Sequence, residues 1–181
     1  MEWVNSGGGP LICAEEHISV HWMGVYGLSA TCSSTQRNDY ERACSTREYI
    51  EAMACAGGYV LTLGDEPLQS SFFRTVSGDL AIARWVYAPS PDNVETFLRR
   101  PLDDISELAS AIHFEVSEGP LVLFDSALRG ADALARRTKT DVQPGSYRVT
   151  TEKCQSGKTF RFIVHRLLKA GDSTRRQHMP K

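Results

Sequence analysis

The fold is best inferred from residues 58–73, which read Gly58-Tyr-Val-Leu-Thr-Leu-Gly-Asp-Glu-Pro-Leu-Gln-Ser-Ser-Phe-Phe73. A run of apolar, β-branched and aromatic residues, typical of a strand, stops at a glycine, two acids and a proline before an apolar run resumes. Pro67 cannot donate a ladder hydrogen bond, and it pushes Glu66 out of helical geometry. The stretch therefore predicts a strand followed by a turn, and it leaves open what Asp65 and Glu66 do there.

The same design recurs elsewhere in the chain. Three segments consist of a glycine, a short strand-like run and an acid where the run ends: Gly9 to Glu15, Gly58 to Asp65, and Gly119 to Asp125. Two of them precede a second strand that opens on a turn glycine, Gly78 or Gly145. This recurrence predicts either a duplicated β unit, with halves at 1–89 and 112–168, or a repeated hairpin architecture.

A helix is predicted over residues 91–99, between the two halves. Ser90 can cap it, Pro91 suits its first position and Pro101 ends it. Asp39 to Cys44 can form a single helical turn. Gly57-Gly58 between two apolar runs indicates a hairpin, and a helix over 46–55 is the competing prediction.

These elements predict one α+β domain over residues 1–170. It is predominantly antiparallel β-sheet with one or two short helices. The polar, basic residues 171–181 are predicted to be a disordered tail. The sequence of residues 105–111 is ambiguous and predicts neither a helix nor a strand clearly.

The composition narrows the function classes. The chain has 181 residues, of which 41% are apolar, so it can bury a core. No apolar run reaches the roughly 18–20 residues that span a bilayer, and the first residues do not resemble a signal peptide. Five cysteines without a C-x-x-C pair predict neither a disulfide framework nor a zinc site. We therefore expect a cytoplasmic protein that does not associate with membranes.

The small net charge of −2 hides two opposed regions. Residues 1–125 contain 7 Lys/Arg and 18 Asp/Glu, for a net charge of −11, whereas residues 126–181 contain 13 and 4, for +9. Such asymmetry bears on association more than on fold. The two regions either neutralise each other inside the fold or form separate patches.

Sites of catalysis are not indicated by the motifs. His17 and His21 are four residues apart, but Ile-Ser-Val between them disfavours a helix and no third ligand has a telling spacing. The chain contains no nucleophile elbow and no phosphate-binding loop. We expect no metal site, no cofactor and no enzymatic activity.

Paired acids are the remaining polar feature. Neighbours along a strand point to opposite faces, so adjacency alone does not make a general acid–base pair. An acid after a strand commonly accepts hydrogen bonds from the backbone of its own turn. A surface that binds a partner is the functional alternative, and its candidate residues are Glu15, Glu16, Asp65, Glu66, Asp103, Asp104 and Asp125.

Several short motifs, taken in order, resemble one family. They are Trp3, Gly9-Pro-Leu-Ile12, Trp22-Met-Gly24, Asp39-Tyr-Glu-Arg-Ala-Cys44, Leu63-Gly-Asp-Glu-Pro67, Arg84-Trp-Val-Tyr87, Gly119-Pro-Leu-Val-Leu-Phe-Asp-Ser-Ala127 and Pro144-Gly-Ser-Tyr-Arg-Val149. The set resembles the immunity protein 21 family of bacterial polymorphic toxin systems, over about residues 3 to 168. The polar segment near 28–37 and the basic tail depart from the resemblance.

The resemblance implies a cytoplasmic protein that protects its producer by binding a cognate toxin domain, for which a basic nuclease is one candidate. Two alternatives come from the residues themselves. A small hydrolase would bring Asp65, Glu66 and Asp125 together in one pocket. A nucleic-acid-binding module would use the basic residues of the C-terminal third, although no aromatic residues are interleaved with Arg136, Arg137 and Lys139. The sequence does not indicate an oligomeric state.

Overall fold

The computed structural model describes residues 1–30, 35–64, 66–100 and 104–171. Asp65, Asp103, Pro101 and the predicted tail from residue 172 onward lie outside the described residues. The elements in the described ranges are β1 (Leu11–Glu15), α1 (Glu16–Ser19), α2 (Asp39–Cys44), β2 (Glu51–Cys55), β3 (Gly58–Leu63), β4 (Ser70–Arg74), β5 (Leu80–Tyr87), α3 (Pro91–Leu98), β6 (Asp104–Val116), β7 (Leu121–Asp125), β8 (Thr138–Thr140), β9 (Gly145–Ser156) and β10 (Phe160–Lys169). Short 3-10 turns occupy Gly24–Tyr26 and Ala133–Ala135.

The strands form two five-stranded sheets. The first has the order β2-β3-β1-β7-β8, and the second has the order β4-β5-β10-β9-β6. Every pairing between the described strands is antiparallel. The predicted α+β class, with mostly antiparallel sheet, is confirmed. Each sheet takes strands from both sides of α3, so residues 1–89 and 112–168 interleave.

The central strands of the first sheet are apolar on both faces. In β1, Leu11 and Cys13 pack in the core between the sheets, whereas Ile12 and Ala14 pack on the outer face. Side chains alternate between the two faces of a strand, so a strand covered on both sides reads as a continuous apolar run. This double burial explains why β1, β3 and β7 are the recurring apolar segments of the sequence. A duplication as their origin stays a hypothesis.

Short helices and turns cover the outer faces of both sheets. Ile18 of α1, Ala43 of α2 and the fully buried Trp22 pack over the first sheet. Val94 and Leu98 of α3 pack over the second sheet. The molecule thus has three apolar layers, one between the sheets and one outside each.

The structure confirms some of the predicted local elements and contradicts others. The β2–β3 turn uses Ala56 and Gly57, with φ of 48° and 84°, one residue earlier than the Gly57-Gly58 prediction. The competing helix over 46–55 is wrong, because residues 51–55 pair with β3. The predicted helix is confirmed as α3, which ends at Leu98, one residue before the predicted end. Ser90 is extended at the N-cap position, but its side chain makes no capping hydrogen bond. Residues 105–111, ambiguous in sequence, belong to β6.

Among the described residues, the helices are all too short or too polar to span a bilayer.

Candidate functional site

The strand-end acids fall at opposite ends of the first sheet. Leu11 of β1 pairs with Leu63 on one side and with Asp125 on the other, while Glu15 pairs with Leu121. Because β1 runs antiparallel to both neighbours, β3 and β7 finish together where β1 begins. We call this end the β3–β7 end and the opposite one the β1 end.

Glu15 lies buried at the β1 end, with 4% of its surface exposed. Its Oε2 accepts hydrogen bonds from the Ser117 amide at 2.7 Å, the Ser117 hydroxyl at 2.8 Å and the Glu118 amide at 2.6 Å. Hydrogen bonds to a carboxylate are stronger than those between neutral groups. The side chain therefore holds the turn between β6 and β7 and is turned away from any partner.

Glu16, the next residue, is ion-paired with the basic region. Its Oε1 contacts the Arg137 guanidinium, and its Oε2 lies 3.7 Å from Lys139 Nζ. Here the acidic and basic parts of the sequence neutralise each other. These contacts remove two of the cations on which a nucleic-acid-binding surface would depend.

The two histidines do not converge on a metal site. Helix α1 ends at Ser19, before His21, and His17 Nδ1 lies 3.4 Å from Glu118 Oε1. Across the described ranges, no group of three or more His, Cys, Asp or Glu side chains is arranged to hold a metal ion.

Asp125 closes a turn at the β3–β7 end. Its Oδ1 accepts from the Ala127 amide at 2.9 Å, and its Oδ2 accepts from the Gly7 amide at 2.6 Å. It also lines a cleft of about 430 Å³ together with Trp3, Arg136 and Arg137. The first contact is the local backbone bond that the strand-end pattern predicts.

The turn that contains Glu66 is built around a buried arginine. Arg84 of β5 has 1% of its surface exposed and donates hydrogen bonds to the carbonyls of Tyr49, Gly64 and Glu66. The carbonyls of the turn thus point inward to a cation, and the Glu66 side chain is exposed. This arrangement fixes the backbone of the acidic turn without using its carboxylate.

Glu48 and Glu51 are two further exposed acids beside this turn. The backbone of Glu48 packs against Gly64, where a Cβ would lie 2.2 Å from the Glu48 carbonyl oxygen. Glu51 pairs with Thr62 of β3. None of Glu48, Glu51 and Glu66 forms an ion pair within the part of the chain that the structure describes. We call these three residues the acidic edge.

The acids of the predicted set that the structure describes lie at separate places in the fold. Glu66 and Asp125 share the β3–β7 end, but β1 lies between their strands, which are about 10 Å apart at the usual strand spacing. Asp104 begins β6 in the second sheet, paired with Gln155. Glu66 does not line the cleft that contains Asp125. The pocket that the hydrolase alternative requires is not formed by these two residues.

A buried histidine is also unsuited to acid–base chemistry with a substrate. His165 is fully buried between the sheets, and its Nδ1 lies 3.0 Å from the Thr151 hydroxyl. Burial, and secondarily the positive charge of Arg84, hold the pKa of His165 well below its ordinary value. The imidazole is thus a neutral core group.

The sequence predictions missed an exposed surface beside β7 that combines three apolar or aromatic side chains with two basic ones. It consists of Val20, His21, Val25, Tyr26 and Arg129, and we call it the Tyr26 surface. Tyr26 is 66% exposed, and the Arg129 guanidinium carbon lies 4.3 Å from the centre of its ring. The Trp22-Met-Gly24 motif was the available signal, because Trp22 fixes the backbone from which Tyr26 projects.

The structure thus shows a β sandwich with a fixed acidic turn and an exposed aromatic surface, features suited to binding another protein. The family model described as immunity protein 21 matches residues 2–159. The chain therefore belongs to the immunity protein 21 family. No curated protein and no solved structure gives a significant match.

Proposed function

We propose that this protein neutralises a cognate toxin domain by binding it in the cytoplasm of the producing cell, without chemistry of its own. The observation that carries the proposal is the family match over residues 2–159. Immunity is then a matter of complex formation, in which the protein covers a surface that the toxin needs.

The acidic edge supports a toxin with a basic surface, such as a nuclease. Glu48, Glu51 and Glu66 are exposed, and Arg84 holds the turn on which Glu66 sits. Acids on a fixed scaffold speed the encounter with a positively charged partner and disfavour acidic ones. We include Asp65 in the proposed surface because it precedes Glu66 in the sequence, and we leave Glu15 out because its carboxylate is buried.

The direct test combines growth rescue with binding. The toxin domain encoded by the neighbouring gene is expressed alone, with this protein, or with an unrelated immunity protein as control. We expect rescue only by this protein, and a complex of the two purified proteins in calorimetry. Neither rescue nor complex formation would contradict the proposal.

A titration separates binding from catalysis. The activity of the purified toxin is measured against increasing amounts of this protein. An inhibitor that binds stoichiometrically abolishes toxin activity at about one equivalent once both concentrations are well above Kd. Full protection at a small fraction of one equivalent would instead indicate that this protein is an enzyme.

A further inference from the structure

The Tyr26 surface is apolar and exposed although the backbone beneath it is tightly held. Val20 and Val25 are 44% and 45% exposed, and Tyr26 is 66% exposed. The three residues lie together because the segment from 20 to 26 packs along residues 126–130. Val25 donates to the Ala127 carbonyl at 3.2 Å, and Gly130 donates to the Trp22 carbonyl at 2.9 Å.

Close packing locks this segment in one conformation. Trp22 is fully buried and its Nε1 donates to the Ser126 carbonyl at 2.8 Å. Gly24 has φ of 57°, and a Cβ there would lie 2.4 Å from the Ala127 carbonyl oxygen. A Cβ on Gly130 would lie 1.7 Å from the Ser19 carbonyl oxygen. The two segments can meet only where both positions are glycine.

A buried carboxylate fixes the other flank. Asp39 is fully buried, and its Oδ2 accepts from the amides of Met23 and Ser29, each at 2.9 Å. A guanidinium nitrogen of Arg42 lies 2.7 Å from Asp39 Oδ1 and neutralises the charge of the carboxylate. Side chains that project from a backbone held in this way lose little conformational freedom when a partner binds them.

The charge of the surface indicates what binds there. Arg129 has no carboxylate within 4.0 Å among the described residues, and the other four residues of the surface carry no acid. Stacking on Tyr26 restrains the guanidinium and leaves its N–H edge free to donate. The complement of this surface is a carboxylate with apolar residues around it.

We propose that Tyr26 and Arg129 are the anchor on which the toxin domain docks, with a carboxylate of the toxin bound by Arg129. This inference rests on the proposed function and names the contact that carries it. Tyr and Arg are the residue types that most often dominate interface energy.

The test measures Kd for the purified toxin domain encoded by the neighbouring gene. We expect Tyr26→Ala and Arg129→Glu each to raise Kd by about 30-fold or more, the size of a hot-spot loss. Tyr87→Ala and Arg161→Glu are matched controls, because Tyr87 is 53% exposed and Arg161 is exposed in β10. Both controls should stay within about 3-fold of the parent protein, and thermal unfolding of all four variants should show an intact fold.

The outcomes separate the anchor from the function. If the parent protein binds the toxin and Tyr26→Ala leaves Kd unchanged, the anchor is wrong while the immunity function stands. If Tyr26→Ala weakens toxin binding and Arg129→Glu does not, the proposed carboxylate contact is wrong. A dimer that Tyr26→Ala dissociates, with toxin binding unchanged, would assign the surface to a second copy of the chain. If the parent protein itself does not bind, the proposed function fails.

Discussion

Glu15 ends β1 and Glu66 lies in the turn after β3, two strands that read alike in sequence, yet the fold uses the two acids in opposite ways. At the β1 end, the turn between β6 and β7 folds over Glu15, and its amides bind the carboxylate. In the turn after β3, a buried cation binds the backbone carbonyls, and the Glu66 carboxylate stays in solvent. What decides the role of a strand-end acid is thus which backbone groups a later segment brings to it.

Removal of the buried cation should have the largest effect. Arg84→Met keeps an apolar stem but leaves the carbonyls of Tyr49, Gly64 and Glu66 without their shared donor. We expect a loss of about 4 kcal/mol in the free energy of unfolding, measured by urea denaturation. Arg84→Lys, which keeps one charged donor, should lose less. A loss under about 1 kcal/mol in Arg84→Met would mean that Arg84 does not hold the β3–β7 end together.

Glu15→Gln should have the next largest effect. The amide keeps the size of the side chain but replaces a carboxylate that accepts three hydrogen bonds. We expect a loss of about 2 kcal/mol in the free energy of unfolding. Glu66→Gln is the matched control at the other end and should change stability by less than about 0.5 kcal/mol. Equal losses in the two variants would remove the distinction between the ends.

Acid should weaken the region around Arg84 through His165. The pKa of His165 is lowered in the folded protein, so below the ordinary value of 6.5 the unfolded chain takes up a proton that the folded protein does not. The stability that neutral, buried His165 contributes to the folded protein is fully present above pH 6.5. It is lost as pH falls below that value, by up to about 1.4 kcal/mol in the free energy of unfolding per pH unit. Urea midpoints at pH 7.5, 6.5 and 5.5 measure this slope.

His165→Gln tests the assignment of that slope. The variant should show a smaller decline in stability between pH 6.5 and 5.5 than the parent protein. Identical slopes in His165→Gln and the parent protein would mean that another group titrates.

The smallest effect is expected at Glu16, which is only partly exposed and is paired with Arg137 and Lys139. Glu16→Gln should cost about 0.5–1 kcal/mol at low salt, because surface ion pairs contribute little. The difference from the parent protein should shrink in 1 M NaCl, at which charges are screened. A loss as large as that of Glu15→Gln would place Glu16 among the structural acids.

The sequence predicts the central strands because double burial makes them continuous apolar runs, and it predicts α3 from Pro91 and its apolar face. It does not predict β8, a strand of three residues, or the one-turn α1. It could not distinguish Glu15 from Glu66, because the groups that bind Glu15 lie about a hundred positions away at Ser117 and Glu118. The Tyr26 surface was missed for the same reason, since the docking of Trp22 onto Ser126 decides which neighbours are exposed.

The strand order also sets when the protein can act. In the first sheet β1 cannot pair with β7 until residue 125 has been synthesised, since Leu11 pairs with Asp125. In the second sheet the central β10 is the last of the described strands. Folds dominated by such distant pairings form in milliseconds to seconds, and here the second sheet can be completed only after β10 has been synthesised. We therefore expect a chain truncated before β10 to give no protection, because its second sheet lacks the central strand.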